Sequence, residues 1–265
     1  LDQTNINHGI GNKRFQTDEY IFKGEGTEYW HPRFNYHGFR YVEITGWEGS
    51  LDKENLTACF IHADFNSDNK FTCSLPLLNR IQENTRWAFG SNFVSIPTDN
   101  PHREKNGWIG VSQLAHETGL FNFNMLTSYE KWVNDLIDAQ GPDGILPSIV
   151  PSGGWGYFKT FWNTGSSIAL FIIPWNLYVY EGDNKIISDV YPSVNKFLNW
   201  MLTKTENGIV YWGHDPCRPY APGRPPTNTP MEIISTAWYY EDIVIASKMA
   251  ELLGRSEDQT AFLKR

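Results

Sequence analysis

The chain has 265 residues, 40% of them hydrophobic and 20% charged, which suits a packed core and excludes global disorder. Its formal net charge of −8 argues against nucleic acid or an anionic membrane as the principal partner. Aromatic residues make up 15%, including 11 Trp and 13 Tyr, a supply that serves either a core or the stacking walls of a sugar site.

Residues 1–74 read as β. "TEYWHPRF" (27–34), "FRYVEIT" (39–45) and "LTACFIHADF" (56–65) are strand candidates, the second by clean alternation of apolar and polar residues. Three strands are too few to close a sandwich, so the segment reads as the C-terminal part of a β-sandwich domain with its linker. Cys59 lies in the third run and is expected to be buried. It is one of three cysteines, with Cys73 and Cys217, and no CxxC or Cys/His zinc spacing accompanies them.

From residue 75 the period changes to helical. Ser74 and Pro76 open "LPLLNRIQENTRWAF" (75–89). A second helix starts near Trp108 and runs to about Asn124. "TSYE" (127–130) has the form of a capping box opening a third, which Gly141-Pro142 stops. "SSIALFIIPWNLYVYE" (166–181) is apolar nearly all round, as an inner helix is, with Pro174 as a kink and Gly182 as its end. A fifth covers 190–205 and a sixth 232–253, and Ser256 with Gln259 begins a seventh. The apolar run "IALFIIPW" is far too short to span a bilayer. Short turns alternate with long Gly-, Pro- and Trp-rich connections. That rhythm predicts antiparallel hairpins in an (α/α)6 toroid, about half of which lies in residues 75–265, with the long loops on a functional face.

The stretch "SIPTDNPHREKNGW" (95–108) concentrates the chemistry. Asp99 and Glu104 stand five apart in a loop stiffened by Pro97 and Pro101. Arg103 can orient one acid, and Trp108 offers a wall that excludes water. A carboxyl placed against an indole is favoured in its protonated form, which suits a general acid. The competing reading is an Asp/Arg/Glu network that merely pins the loop to the helix. His116, on the helix that follows, reads as a packed or surface helix residue rather than a catalyst.

"TDNPHREKNGW" with "GVSQLAHET" resembles the bacterial α-L-rhamnosidases, glycoside hydrolase family 78. "IVPSGGWGYF", "IIPWNLYVYEGD" and "MAELLGR" resemble later segments of the same barrel in the same order. The resemblance implies an (α/α)6 barrel that hydrolyses terminal α-L-rhamnosides with inversion and needs no cofactor or metal. Its partner is a rhamnosylated glycan or glycoside, with no nucleic acid and no membrane span. On matching positions, Glu104 is the general acid, and Asp99 and Arg103 hold the sugar hydroxyls. Trp108, Trp155 and Trp162 are aromatic walls of the pocket. The general base, a late glutamate, is expected beyond residue 265. Two positions depart from the pattern. Val111 replaces an acid, and "GSSIA" (165–169) replaces a Trp- and Asp-bearing segment, which raises a sugar-binding protein with lost or altered activity as the alternative.

Overall fold

A computed structural model of the protein describes residues 16–67, 69–152, 164–213 and 229–265. Its helices are α1 (Pro76–Ser91), α2 (Ile109–Asn122), α3 (Leu126–Ala139), α4 (Thr164–Ser167), α5 (Ala169–Glu181), α6 (Asn184–Leu202), α7 (Met231–Leu252) and α8 (Ser256–Phe262). Two short antiparallel hairpins interrupt them. β1 (Phe93–Val94) pairs with β2 (Ile96–Pro97), and β3 (Thr205–Glu206) with β4 (Ile209–Val210).

The helices form two layers. α5 touches α2 and α7 along an inner layer and α3 and α6 behind it, while α8 backs α7. Its apolar sequence explains this position, since Ala169, Leu170, Phe171, Ile173 and Leu177 are all fully buried. The short turns 123–125, 182–183 and 253–255 join inner helices to outer ones. The long connections 92–108, 140–163 and 203–230 each run into the N-terminus of an inner helix. Antiparallel pairing therefore brings the N-terminal ends of α2, α5 and α7 to one end of the inner layer, where the loop of 95–108 sits.

Helix ends follow backbone chemistry with some corrections to the sequence reading. Gly182 (φ 77°) closes α5 in the left-handed conformation, its N–H on the Tyr178 carbonyl at 2.9 Å. Pro174 lies inside a continuous α5, and the break falls instead at Ile168, between α4 and α5. α6 starts earlier than its apolar pattern suggested because Asp183 caps it, accepting from the Lys185 and Ile186 amides. The TSYE box does not form: α3 opens at Leu126, with Met125 fully buried before it. Ser74 does not cap α1 either. Leu75 holds the cap position, and Asn79 exchanges two hydrogen bonds with the Cys73 backbone at 2.8 and 2.9 Å.

The three strand candidates before residue 75 differ most. Among the described residues they are extended and form no strand ladder, and only a 3-10 turn at Lys53–Asn55 is regular. A strand without a neighbour has no ladder, and its side chains stay uncovered. Tyr29 is 95% exposed, and Cys59 is exposed rather than buried. The segment joins the core at Phe65, whose ring meets Phe89, Phe93 and Phe123, and the Ala63 N–H reaches the Phe93 carbonyl at 2.7 Å.

Candidate active site

The loop begins where β1 and β2 turn through Ser95, in the left-handed region at φ 68°. Buried Thr98 then fastens the chain to α1, its amide and hydroxyl both reaching the Asn92 carbonyl, at 2.7 and 3.0 Å. From here the backbone folds into a closed ring. The Asp99 N–H donates to the Asn106 carbonyl, and the Asn106 N–H returns to the Asp99 Oδ1, each at 3.0 Å. Within the ring, Asn100 Oδ1 accepts from the Arg103 and Glu104 amides at 2.7 and 3.2 Å. Its Nδ2 donates to Asp99 Oδ2. Asn before Pro is a turn-forming pair, and its side chain here replaces the missing backbone partners of the 101–104 turn.

This turn presents Glu104 between two donors. The Trp108 Nε1–H donates to Glu104 Oε2 at 2.7 Å, and the Arg103 guanidinium lies 3.0 Å from Oε1. The Glu104 side chain keeps 21% of its exposure, so its carboxylate is held yet reachable. The Trp108 indole thus acts as a hydrogen-bond donor to the Glu104 carboxylate. Asp99 is the carboxyl whose titration the loop perturbs. Partial burial pushes it above the usual carboxylate range, the Asn106 amide opposes this, and the neighbouring Glu104 charge adds to it.

The far side of the loop is fixed by α2 and residues 148–150. Trp108 pairs with Ile149 in an isolated antiparallel bridge. The Val150 N–H reaches the Gly107 carbonyl at 2.9 Å, and the Ile109 N–H the Ser148 carbonyl at 3.0 Å. Glycine is required at 107, because a Cβ there would stand 2.1 Å from the Val150 oxygen. His116 lies one helical turn and more beyond the site. Its Nε2 faces Asn176 Nδ2 at 2.7 Å, its Nδ1 faces the Gln113 carbonyl, and burial lowers its basicity. It is a packed residue rather than a surface one.

Asp99, Arg103, Glu104 and Trp108 are therefore brought into one loop, whereas Trp155 and Trp162 lie outside the described residues. Val111 projects from the first turn of α2 with 44% of its surface exposed. Asn100 was not among the site residues expected from the sequence, although Asn-Pro is a turn-forming pair. Among the described residues no group of three or more His, Cys, Asp or Glu side chains could hold a metal ion, and no helix is long and apolar enough to cross a membrane.

Comparison with known proteins gives a consistent picture. Residues 67–265 match the bacterial alpha-L-rhamnosidase 6 hairpin glycosidase domain, and residues 1–62 the bacterial alpha-L-rhamnosidase concanavalin-like domain. An alpha-L-rhamnosidase of Streptomyces avermitilis is 33% identical over 246 residues, which are 90% of this chain and 23% of that protein. One from Formosa agariphila is 32% identical over 260 residues, covering 93% of this chain and 27% of that protein. Among solved structures, the alpha-L-rhamnosidase from Dictyoglumus thermophilum superposes with a TM-score of 0.83 at 35% identity, over 92% of this chain and 27% of that one. The chain spans about a quarter of the length of the relatives it matches.

Proposed function

The chain belongs to the bacterial alpha-L-rhamnosidase six-hairpin glycosidase family, and from that premise we propose that it is part of a glycoside hydrolase removing terminal α-L-rhamnose, or a closely related deoxy sugar, from glycans or glycosides. Glu104 is the general acid in this reading. The observation that carries it is the closed, proline-stiffened loop that holds Glu104 between the Trp108 indole and the Arg103 guanidinium, with Asp99 beside it. The relatives bearing the name alpha-L-rhamnosidase support the substrate class.

In the mechanism we infer, Glu104 gives its proton to the glycosidic oxygen as the bond to the anomeric carbon breaks. Asp99 and Arg103 hold sugar hydroxyls, which places the scissile oxygen within reach of the acid. Trp108 covers the acid on one side and limits water there, and Trp155 and Trp162 are proposed as further walls. Inversion requires a second carboxylate about 6.5–9.5 Å away, with a water between it and the anomeric carbon. We assign that base to a glutamate in the part of the relatives' length that this chain does not match.

The test is Glu104→Gln in the intact protein, with two α-L-rhamnosides as substrates. An alkyl rhamnoside, whose leaving group needs a proton, should lose about 10²–10⁴-fold in turnover. A 4-nitrophenyl rhamnoside leaves without help and should lose much less. Equal, unchanged turnover of both would refute the assignment. Val111, at the place of a substrate-holding acid, favours a second reading in which the protein binds the sugar without cleaving it. Calorimetric binding of L-rhamnose with no hydrolysis of either glycoside would select that reading.

A further inference from the structure

We infer that Lys105 is a positioning residue for the proton donor, acting through a strap that ties the loop of Glu104 to residues 35–38. The inference rests on the reading of Glu104 given above. Lys105 follows Glu104 directly and has φ 53°, a left-handed conformation that lysine, unlike asparagine or glycine, has no local means to stabilise. Such a conformation persists where the surroundings over-determine it, and here they do. The ammonium donates to the Tyr36 carbonyl, lies 3.4 Å from Asn35 Oδ1, and sits 4.8 Å from the centre of the Tyr36 ring.

A second contact comes from the same stretch. Gly38 lies against the turn so closely that a Cβ on it would be 2.7 Å from the His102 Cβ and 3.1 Å from the His102 nitrogen. The strap therefore touches the 101–104 turn on one side of Glu104 and Lys105 on the other. The bend at Lys105 decides where the chain goes next. It delivers the Asn106 N–H to Asp99 Oδ1 at 3.0 Å and then Trp108, whose indole meets Glu104 at 2.7 Å. If the bend relaxes, the separation between Glu104 and Trp108 changes, and the acid loses its orientation although no group that touches substrate has been altered.

Lys105→Met keeps the aliphatic stem and removes the donor, and Lys105→Arg keeps a donor that can reach the same carbonyl. In the intact protein, Lys105→Met should lower kcat for an alkyl rhamnoside by tenfold or more, since misplacement by ~1 Å can cost ~10²-fold. KM should change little, and the activated 4-nitrophenyl rhamnoside should lose distinctly less. Lys105→Arg should recover most of the loss. Gly38→Ala, which presses on His102, should reproduce the selective loss and serves if the methionine variant does not fold. The role is overturned if folded Lys105→Met treats both substrates as the parent does, or slows both equally while its melting temperature falls. Glu104→Gln is run alongside. If it spares both substrates, the proton-donor reading has failed and this inference with it. If it is selective and Lys105→Met is not, only the positioning role falls.

Discussion

Gly107→Ala puts a measurable strain on the joint between the loop and residues 148–150. The new Cβ would stand 2.1 Å from the Val150 carbonyl oxygen, against an ordinary contact of 3.4 Å or more. The two backbones must part by about 1 Å, and the neighbour is main chain, so no side chain can swing away. Three hydrogen bonds share the joint: Val150 N–H to Gly107 O at 2.9 Å, Ile109 N–H to Ser148 O at 3.0 Å, and the buried Trp132 indole to Val150 O at 3.2 Å. Each contributes about 1 kcal/mol net, and a buried group left unpaired costs about 1–3 kcal/mol. Loss or stretching of two of them predicts a destabilisation of about 2–4 kcal/mol. Trp108 is the next residue and carries the indole that meets Glu104, so turnover should fall by ~10²-fold for a displacement of that size. Urea unfolding at constant m-value measures the first quantity and kcat on an alkyl rhamnoside the second. An alanine variant within about 0.5 kcal/mol of the parent and with unchanged kcat would refute the reasoning.

Two further outcomes follow from carboxyls whose titration burial shifts. Asp242, on α7, is wholly buried and has no hydrogen-bond partner on either oxygen among the described residues, and burial raises its pKa well above 3.8. Its native form favours the proton, so its own contribution to stability is greatest below the unfolded value and is lost as pH rises towards the folded one. Asp242→Leu should therefore stabilise the fold at pH 7, by about 1–4 kcal/mol, with the gain shrinking towards pH 4. A gain independent of pH in urea titrations would contradict this. Asp99 is shifted the same way, from 3.8 upward. Asp99→Asn should thus flatten part of the pH dependence above pH 4, while weakening L-rhamnose binding in calorimetry, and unaltered sugar affinity would remove Asp99 from the binding role.

What the sequence made legible was what depends on local period and on punctuation. α1, α3 and α6 were recognisable because apolar residues recur at helical spacing, and Gly182 ended α5 because only a residue free to take φ 77° fits there. The capping box at Thr127 failed because tertiary burial of Met125, with Leu126 partly buried against the core, moved the helix start. The stretches 39–45 and 56–65 are extended without a ladder among the described residues, although residues 1–62 match a concanavalin-like domain. Alternation describes one face of a strand, whereas a ladder needs a neighbour, which no local pattern supplies. The β3–β4 hairpin had its signal in Asn207-Gly208, at φ 49° and 78°, inside what read as one long loop. Charge and proline marked the loop of 95–108, which the structure closes on itself between Asp99 and Asn106. Its closure through Asn100 and its strap through Lys105 depend on contacts across one to seventy positions and could not be read from spacing.

The two readings of that loop, anchor and acid holder, can be weighed by what the loop costs. An Arg–Glu pair with side chains 38% and 21% exposed returns at most about 1 kcal/mol. Against it stand Ser95 and Lys105 in the left-handed region, each a cost of about 1–3 kcal/mol, and a carboxyl at Asp99 that burial makes reluctant to ionise. A segment serving only to pin α2 would do so more stably with glycine or asparagine at 95 and 105 and an amide at 99. The loop instead spends stability on holding two carboxyls, an indole and a guanidinium in one fixed arrangement. A fixed arrangement of that kind is what the proposed acid site would require and a tether would not. It also locates the weak point: the scaffold contacts that offset the strain, at Tyr36, Gly38 and Val150, lie outside the loop, so activity should be lost through them before the fold is.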